Sequence, residues 1–228
     1  EQAGRRAGVG FLFPRRSIGV DGQVQRAYTL RYHALGGAAA STAADETAAA
    51  CSAALGGSPV VFYEPHAPHP FDRSGEQIGP VEIGRPDAAE AEALRRLQGE
   101  VWGSPPEFLY PADIHSSAFG LGSSLVARVE GAPAGFLFGF YRFGGSPLPA
   151  DWAERYNGAL RLESQTMAVA PAYRGLRIAS LLKRAQAQGA WAEGIGVVHW
   201  TADPLQFPNA ALNFGLLRAV AYEFAADL

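Results

Sequence analysis

The chain has 228 residues, enough for one large domain or two small ones. Apolar residues make up 48 % and charged residues 18 %, so a core can be buried and the composition argues against global disorder. The formal net charge of −3, from 19 basic and 22 acidic side chains, argues against a nucleic-acid partner. Lys183 is the only lysine among those 19 cations. Cys51 is the only cysteine, which excludes an internal disulfide or a thiolate metal cluster. No apolar run reaches the length of about 18 residues that a bilayer span needs. The N-terminus carries no charged-then-apolar signal pattern, so a soluble, cytoplasmic protein with no membrane partner is expected.

Residues 1–78 read as a ββα-β unit. Val9–Phe13 is strand-like and is followed by Pro14-Arg15-Arg16. Ser17–Val20 and Gln23–Leu30 flank Asp21-Gly22, and Asp-Gly between β-formers signals a hairpin. The alanine-rich run from Ala38 to Leu55 predicts a helix from near Ser41, stopped by Gly56-Gly57. Val60–Tyr63 is a short strand, and Pro65–Pro70 a rigid loop. His66 and His69 in that loop have no third ligand nearby and read as solvated, so no metal is expected.

Residues 79–228 alternate more regularly. Val81–Ile83 is a strand. Asp87 and Glu90 form a loose capping box before a helix with Ala91, Leu94, Leu97 and Val101 on one stripe. Pro111–Leu121 reads as a shorter helix. Ser124–Val129 and Gly135–Phe143 read as a hairpin around Gly131-Ala132-Pro133, followed by a Gly/Pro-containing insertion over 144–160. Leu162–Val169 is a strand and Arg174–Ala192 a long helix, with Ile178, Leu181, Leu182 and Ala185 on one face. A strand over Val197–Ala202, a helix over Asn209–Leu217 and a last strand over Val220–Ala225 complete the order.

The stretch from Met167 to Leu182 carries the chemistry. A strand enters a tight loop and then an amphipathic helix, whose first turn offers free backbone N–H groups and the positive end of the dipole to a phosphate. Gly175 allows a ligand close to the backbone. Arg174 and Arg177 add cationic donors.

In this segment the sequence resembles the GNAT acyl-CoA N-acyltransferases, whose phosphate signature Arg/Gln-x-x-Gly-x-Gly/Ala has the register of Arg174–Ala179. Arg177 stands where the signature has its inner glycine, and its N–H can donate if φ stays helical. The run from His199 to Asn213 is similar to a GNAT subgroup with Trp-Thr-x-Asp-Pro-Leu-x-x-x-Asn-Ala after the fifth strand. "LQGEVWG" over Leu97–Gly103 and "AGFLFGF" over Ala134–Phe140 match the same subgroup. The resemblance covers 79–228. Members of that subgroup continue past the equivalent of Leu228, which implies a chain truncated or rearranged at its ends.

The resemblance implies an α+β GNAT fold, a mixed and mostly antiparallel sheet flanked by helices, preceded by the ββα-β extension. It implies an acetyl-CoA or other acyl-CoA co-substrate and a small-molecule amine acceptor such as an amino acid, joined by direct attack in a ternary complex. Cofactor contacts then fall on Met167, Ala168 and Val169, with Met167 and Val169 giving backbone groups to the pantetheine arm. Pyrophosphate falls on the N–H groups from Arg174 to Ala179 (Arg174, Gly175, Leu176, Arg177, Ile178 and Ala179), and Ser180 is a further cofactor contact. Asn209 falls on the asparagine that touches the pantetheine arm, or else caps its helix.

Many GNAT enzymes place a glutamate in this strand, so the resemblance ranks Glu163 first as general base. Glu163, Gln165 and Met167 share one strand face, because side chains alternate. His199 and Asp203 follow, Asp203 more as the residue that fixes a turn. The tyrosine that serves many of these enzymes as general acid falls on Phe214, which has no proton to give. Tyr222, Tyr173 or water is left for that role, or the thiolate leaves unprotonated. Tyr110 and His115 read as local packing in the acceptor region, and Trp102, Trp191 and Trp200 as core or cleft walls. The alternative function is a catalytically weak protein that binds acyl-CoA or regulates. Residues 1–78 could extend the sheet or swap between subunits of a homodimer.

Overall fold

The computed structural model describes residues 8–18, 24–34, 40–63, 71–116, 122–143, 147–156 and 160–224. It contains a three-stranded and a six-stranded sheet. In the first, β1 (Gly8–Ile18) and β2 (Val24–Ala34) pair antiparallel from Gly8 opposite Ala34 to Ile18 opposite Val24. β3 (Val60–Tyr63) then joins β2 in parallel. Helix α1 (Ala40–Ala54) covers this sheet, with Ala43 and Ala44 against Leu30 and Tyr32. It stops where Gly56 and Gly57 take φ of 67° and 81°, as glycines after a helix do. The Asp21-Gly22 turn and the Pro65–Pro70 loop, with His66 and His69, lie outside the described residues.

The second sheet runs in the order β4 (Glu76–Ile78), β5 (Val81–Gly84), β6 (Gly122–Val129), β7 (Ala132–Phe143), β8 (Leu160–Val169) and β9 (Val198–His199). All its neighbours are antiparallel except β8 and β9, which run parallel. Alternation along β7 sends side chains to two helices. Phe136 and Phe138 meet Leu94 and Leu97 of α2 (Ala88–Trp102). Ala134 and Leu137 meet Ile178 and Leu182 of α4 (Ile178–Ala192) on the other face. The architecture is thus α+β, a mostly antiparallel sheet between helices. A short α3 (Ala150–Arg155) lies in the insertion after β7. The N-terminal sheet meets the rest through Phe13, which packs on the Leu94–Phe136 cluster, and through Arg31, bonded to Asp113 at 3.1 Å.

Several elements differ from the sequence expectation. Over Pro111–Leu121 only a single 3-10 turn forms, Ala112–His115, and 117–121 lie outside the described residues. The long helix starts at Ile178 rather than Arg174, because Pro171–Tyr173 form a 3-10 turn and both Gly175 and Arg177 have positive φ. The fifth strand shrinks from Val197–Ala202 to Val198–His199. The helix expected over Asn209–Leu217 is α5 (Phe207–Ala210), continued as a π-helix over Ala211–Leu216. No strand forms over Val220–Phe224. Trp102 and Trp191 are largely exposed rather than core.

One buried charge cluster ties β4–β6 to α2. Arg128 on β6 is fully buried, and its guanidinium donates to Glu90 Oε1 at 2.5 Å, Glu90 Oε2 at 2.8 Å and Glu82 Oε1 at 2.8 Å. It also donates to the carbonyls of Ser74 and Arg85. Glu90 in turn closes the capping box with Asp87 that starts α2. The bond from Arg128 is the main cause holding the Glu90 carboxyl below its usual range, and burial only partly opposes it. Removing Arg128 strands a buried carboxylate, so Arg128→Ala should cost about 3–5 kcal/mol in urea unfolding. The Glu90 contribution is complete above its unfolded pKa near 4.5 and fades as pH falls through the lower folded value. The Arg128→Ala variant should therefore lose less stability than the parent between pH 5 and pH 3.

Candidate active site

The site is organised by how β8 is paired. On one edge it follows β7 along its length, from Phe143 opposite Leu160 to Gly135 opposite Val169. On the other it meets β9 only at Leu162–Val198 and Glu163–His199. Beyond Glu163 the two parallel strands part, and that edge of β8 has no strand beside it among the described residues.

A bulge sets what faces the opening. Phe138 pairs with Thr166 and Gly139 with Ser164, so Gln165 has no partner. Glycine is required at 139, because a Cβ there would lie 2.5 Å from the Glu163 carbonyl oxygen. Before the bulge Leu162 donates its N–H to Val197, toward β9. After it Ala170 donates to Ala134, toward β7. Alternation then turns the backbone groups of Met167 and Val169 toward the opening. Their side chains pack on the α4 cluster, while Ala168 points to α2.

The bulge also overturns the expected single face for Glu163, Gln165 and Met167. Leu162 packs with Ala190 of α4, and Ser164 bonds to Lys183 of α4. Glu163 between them faces the opposite side, away from Met167. His199 shares that side, since its neighbours Val198 and Trp200 both contact α4-side groups. Paired in register, Glu163 and His199 therefore stand together at the head of the opening.

The two differ in chemistry. Glu163 accepts from Arg142 Nε at 2.5 Å. The Nε2 of His199 is buried with no hydrogen-bond partner. Burial, aided by Arg161 and Arg142 and opposed by Glu163, holds the imidazole below its ordinary value and so neutral at pH 7. His115, a candidate by position only, bonds through Nδ1 to Ser124 Oγ at 2.6 Å and packs against Phe138. Burial pushes it down to about 4, and it is a packing histidine. Tyr110 likewise stacks edge-on to Phe138 at 4.8 Å.

The loop before α4 is exposed. Arg174, Gly175 and Leu176 form a turn, and Arg177 is the residue before the helix. The first intrahelical bond runs from Leu181 N–H to the Arg177 carbonyl, which leaves the N–H groups of Ile178, Ala179 and Ser180 without a helical acceptor. Ser180 Oγ donates to that same Arg177 carbonyl. The expected helical φ at Arg177 is not found: it is +59°, left-handed. The glycine of the resembling signature would fit that conformation without strain.

Across the opening, Asp203 accepts from Leu205 N–H at 2.9 Å and fixes the turn after β9. Gln206, not Asn209, precedes α5; Asn209 lies inside its first turn and donates to Gln206 Oε1 at 3.3 Å. Tyr173 packs on the α4 cluster. Tyr222 sits half-buried in the irregular segment after the π-helix, and no described bond joins it to Glu163 or His199. Sequence reasoning passed over Lys183, whose one signal was being the single lysine; it is buried beneath Trp200. No group of three or more metal-ligating side chains occurs among the described residues, and no described helix is long and apolar enough to cross a membrane.

No protein-family model and no curated protein matches the sequence. Solved structures do. The Aminoglycoside N-Acetyltransferase AAC(6')-Iy in complex with CoA is 16 % identical, with a TM-score of 0.50 over 68 % of this chain and 95 % of that one. A ribosomal-protein-alanine N-acetyltransferase from Brucella melitensis biovar Abortus 2308 is 19 % identical, with a TM-score of 0.47 over 65 % and 96 %. The chain has the GNAT acetyltransferase fold, as the first of these likenesses establishes.

Strain at the loop is separable from its chemistry. Replacing Arg177 by glycine should relieve about 1 kcal/mol of left-handed strain and raise the thermal midpoint by about 2–4 °C. Gly175→Ala, at φ +88° with open space around its Cβ, should lower the midpoint by a similar amount through backbone strain alone.

Proposed function

We propose that the chain moves an acetyl or other short acyl group from acyl-CoA to the amine of a small molecule, by direct attack in a ternary complex. The observation that carries this reading is the parting of β8 from β9 beside the amide-bearing start of α4. An extended pantetheine arm would lie along the free edge of β8, bonded to Met167 and Val169 as a further strand would be. The diphosphate would take the N–H groups of Ile178, Ala179 and Ser180, with Arg174 and Arg177 as outer cations. Residues 79–228 would carry the chemistry, and 1–78 would buttress β7 and the turn at Asp113.

The amine must be neutral to attack. An α-amine near 7.7 is neutral about once in six molecules at pH 7, a lysine-like amine only once in a few thousand. His199 is the better proton acceptor of the pair, because its imidazole is already neutral and its Nε2 has no other partner. Glu163, held by Arg142, would orient the acceptor amine and offset the positive charge it develops. By the resemblance, the tyrosine acid falls on Phe214, so the thiolate would leave without help from that position. The same phenylalanine, with Arg177 in place of glycine, favours a second reading in which acyl-CoA is held without turnover.

Incubation with acetyl-CoA and a panel of small amines, following free thiol, separates the readings. Acceptor-dependent thiol release supports transfer; calorimetric CoA uptake with no release across acetyl and longer thioesters supports binding alone. In the first case His199→Ala should lower kcat by about 10²–10⁴. The acid limb of the parent's rate profile should lie below pH 6.5, since the lowered pKa keeps His199 neutral above it.

A further inference from the structure

Lys183 is the only lysine in the chain, against arginine at every other cationic position. It is also 8 % exposed, an unusual place for an ammonium. Its Nζ donates to Ser164 Oγ at 2.8 Å and lies 3.9 Å from the centre of the Trp200 ring. Ser164 is the first β8 residue past the last β8–β9 pair, and Trp200 the first residue past β9. The amine therefore bridges the two strands at the point where they part. A cavity of about 520 Å³ opens onto it, bounded by Val198, Trp200, Leu216, Arg184 and Arg218. Lys183 itself lines that cavity. Arginine could make the same bridge, but a guanidinium keeps its proton and is no nucleophile.

We propose that Lys183 is an internal acyl acceptor: with no amine substrate present, its side chain takes the acyl group of a thioester held between β8 and β9. The inference rests on the acyl-CoA reading of the cleft. The Nζ lone pair forms the N–C bond, the C–S bond breaks, and the thiolate leaves with the electron pair. The proton shed by nitrogen passes to sulfur, giving an Nε-acyl-lysine amide and free thiol. Burial pushes the Lys183 amine down to about 7, so about half is neutral at pH 7, roughly 10³-fold more than for a lysine in water. Arg184 and Arg218 line the same cavity, no carboxylate does among the described residues, and Glu163 and His199 face the other side of the sheet. Acylation removes the charge under Trp200 and places the acyl group in the cavity, so each chain is modified once.

The test uses the full chain with acetyl-CoA at pH 7 and no amine acceptor, alongside a calorimetric titration of the same material with CoA. Expected is one acetyl group per chain, mapped to Lys183 by peptide mass analysis, formed at least 100-fold faster than on the urea-unfolded chain. Excess CoA should slow it, and the rate should rise from pH 6 to pH 8 and then level. The Lys183→Arg chain should bind CoA and gain no acetyl group at that position. Unmodified Lys183 in protein that takes up CoA overturns the proposal and leaves the reading of the cleft standing. Equal rates on folded and unfolded chain also overturn it. Absence of CoA uptake removes the reading of the cleft, and the proposal with it.

Discussion

One unpaired residue, Gln165, governs the site. A strand paired on both edges along its length has no backbone to offer a ligand. Here β8 is fully paired to β7, yet only two residues of it pair to β9. The bulge at Gln165 reverses which backbone groups point outward. Without it, Thr166 and Ala168 would face the opening, and the side chains of Met167 and Val169 would turn away from the α4 core they now fill. Gly139 makes the bulge possible by leaving room for the Glu163 carbonyl. A glycine on β7 thus sets the chemistry offered by β8.

The same arrangement separates functions by face. Glu163 and His199 lie on one side of the sheet; Ser164, Lys183 and Trp200 lie on the other. An acceptor could approach from the first side while a thioester lies between the strands. Burial, more than charge pairing, sets the two titratable nitrogens. His199 and Lys183 both have depressed pKa values with burial as the leading cause, so each is a neutral or near-neutral base made by the removal of water. The Arg128–Glu90 cluster, by contrast, is a fully bonded ion pair far along the sheet that fixes α2 to β6.

The helical stripe of Leu94 and Leu97, the alternation of β7 and the face of α4 that includes Ile178 and Leu182 were all legible in the sequence, because burial imposes a period on them. So was the capping box at Asp87 and Glu90. What was not legible depends on contacts between distant segments. The bulge needs Gly139 to meet Glu163 across two strands, and no local pattern around Gln165 announces it. β9 pairs with β8 at only two residues and 220–224 form no strand, although both stretches carry β-forming residues. At Arg177 the side chain gave no hint of a left-handed backbone, which sequence reasoning reserves for glycine or asparagine. The burial of Lys183 was hidden because it is set by the helix face, β8 and Trp200 together.

The central claim is that the free edge of β8 and the first turn of α4 grip one extended ligand. Amide hydrogen exchange with and without CoA tests it residue by residue. Slowed exchange confined to Met167, Val169 and Ile178–Ser180, with Thr166 unaffected, is the expected result. CoA that binds yet leaves those five amides exchanging as before would contradict it.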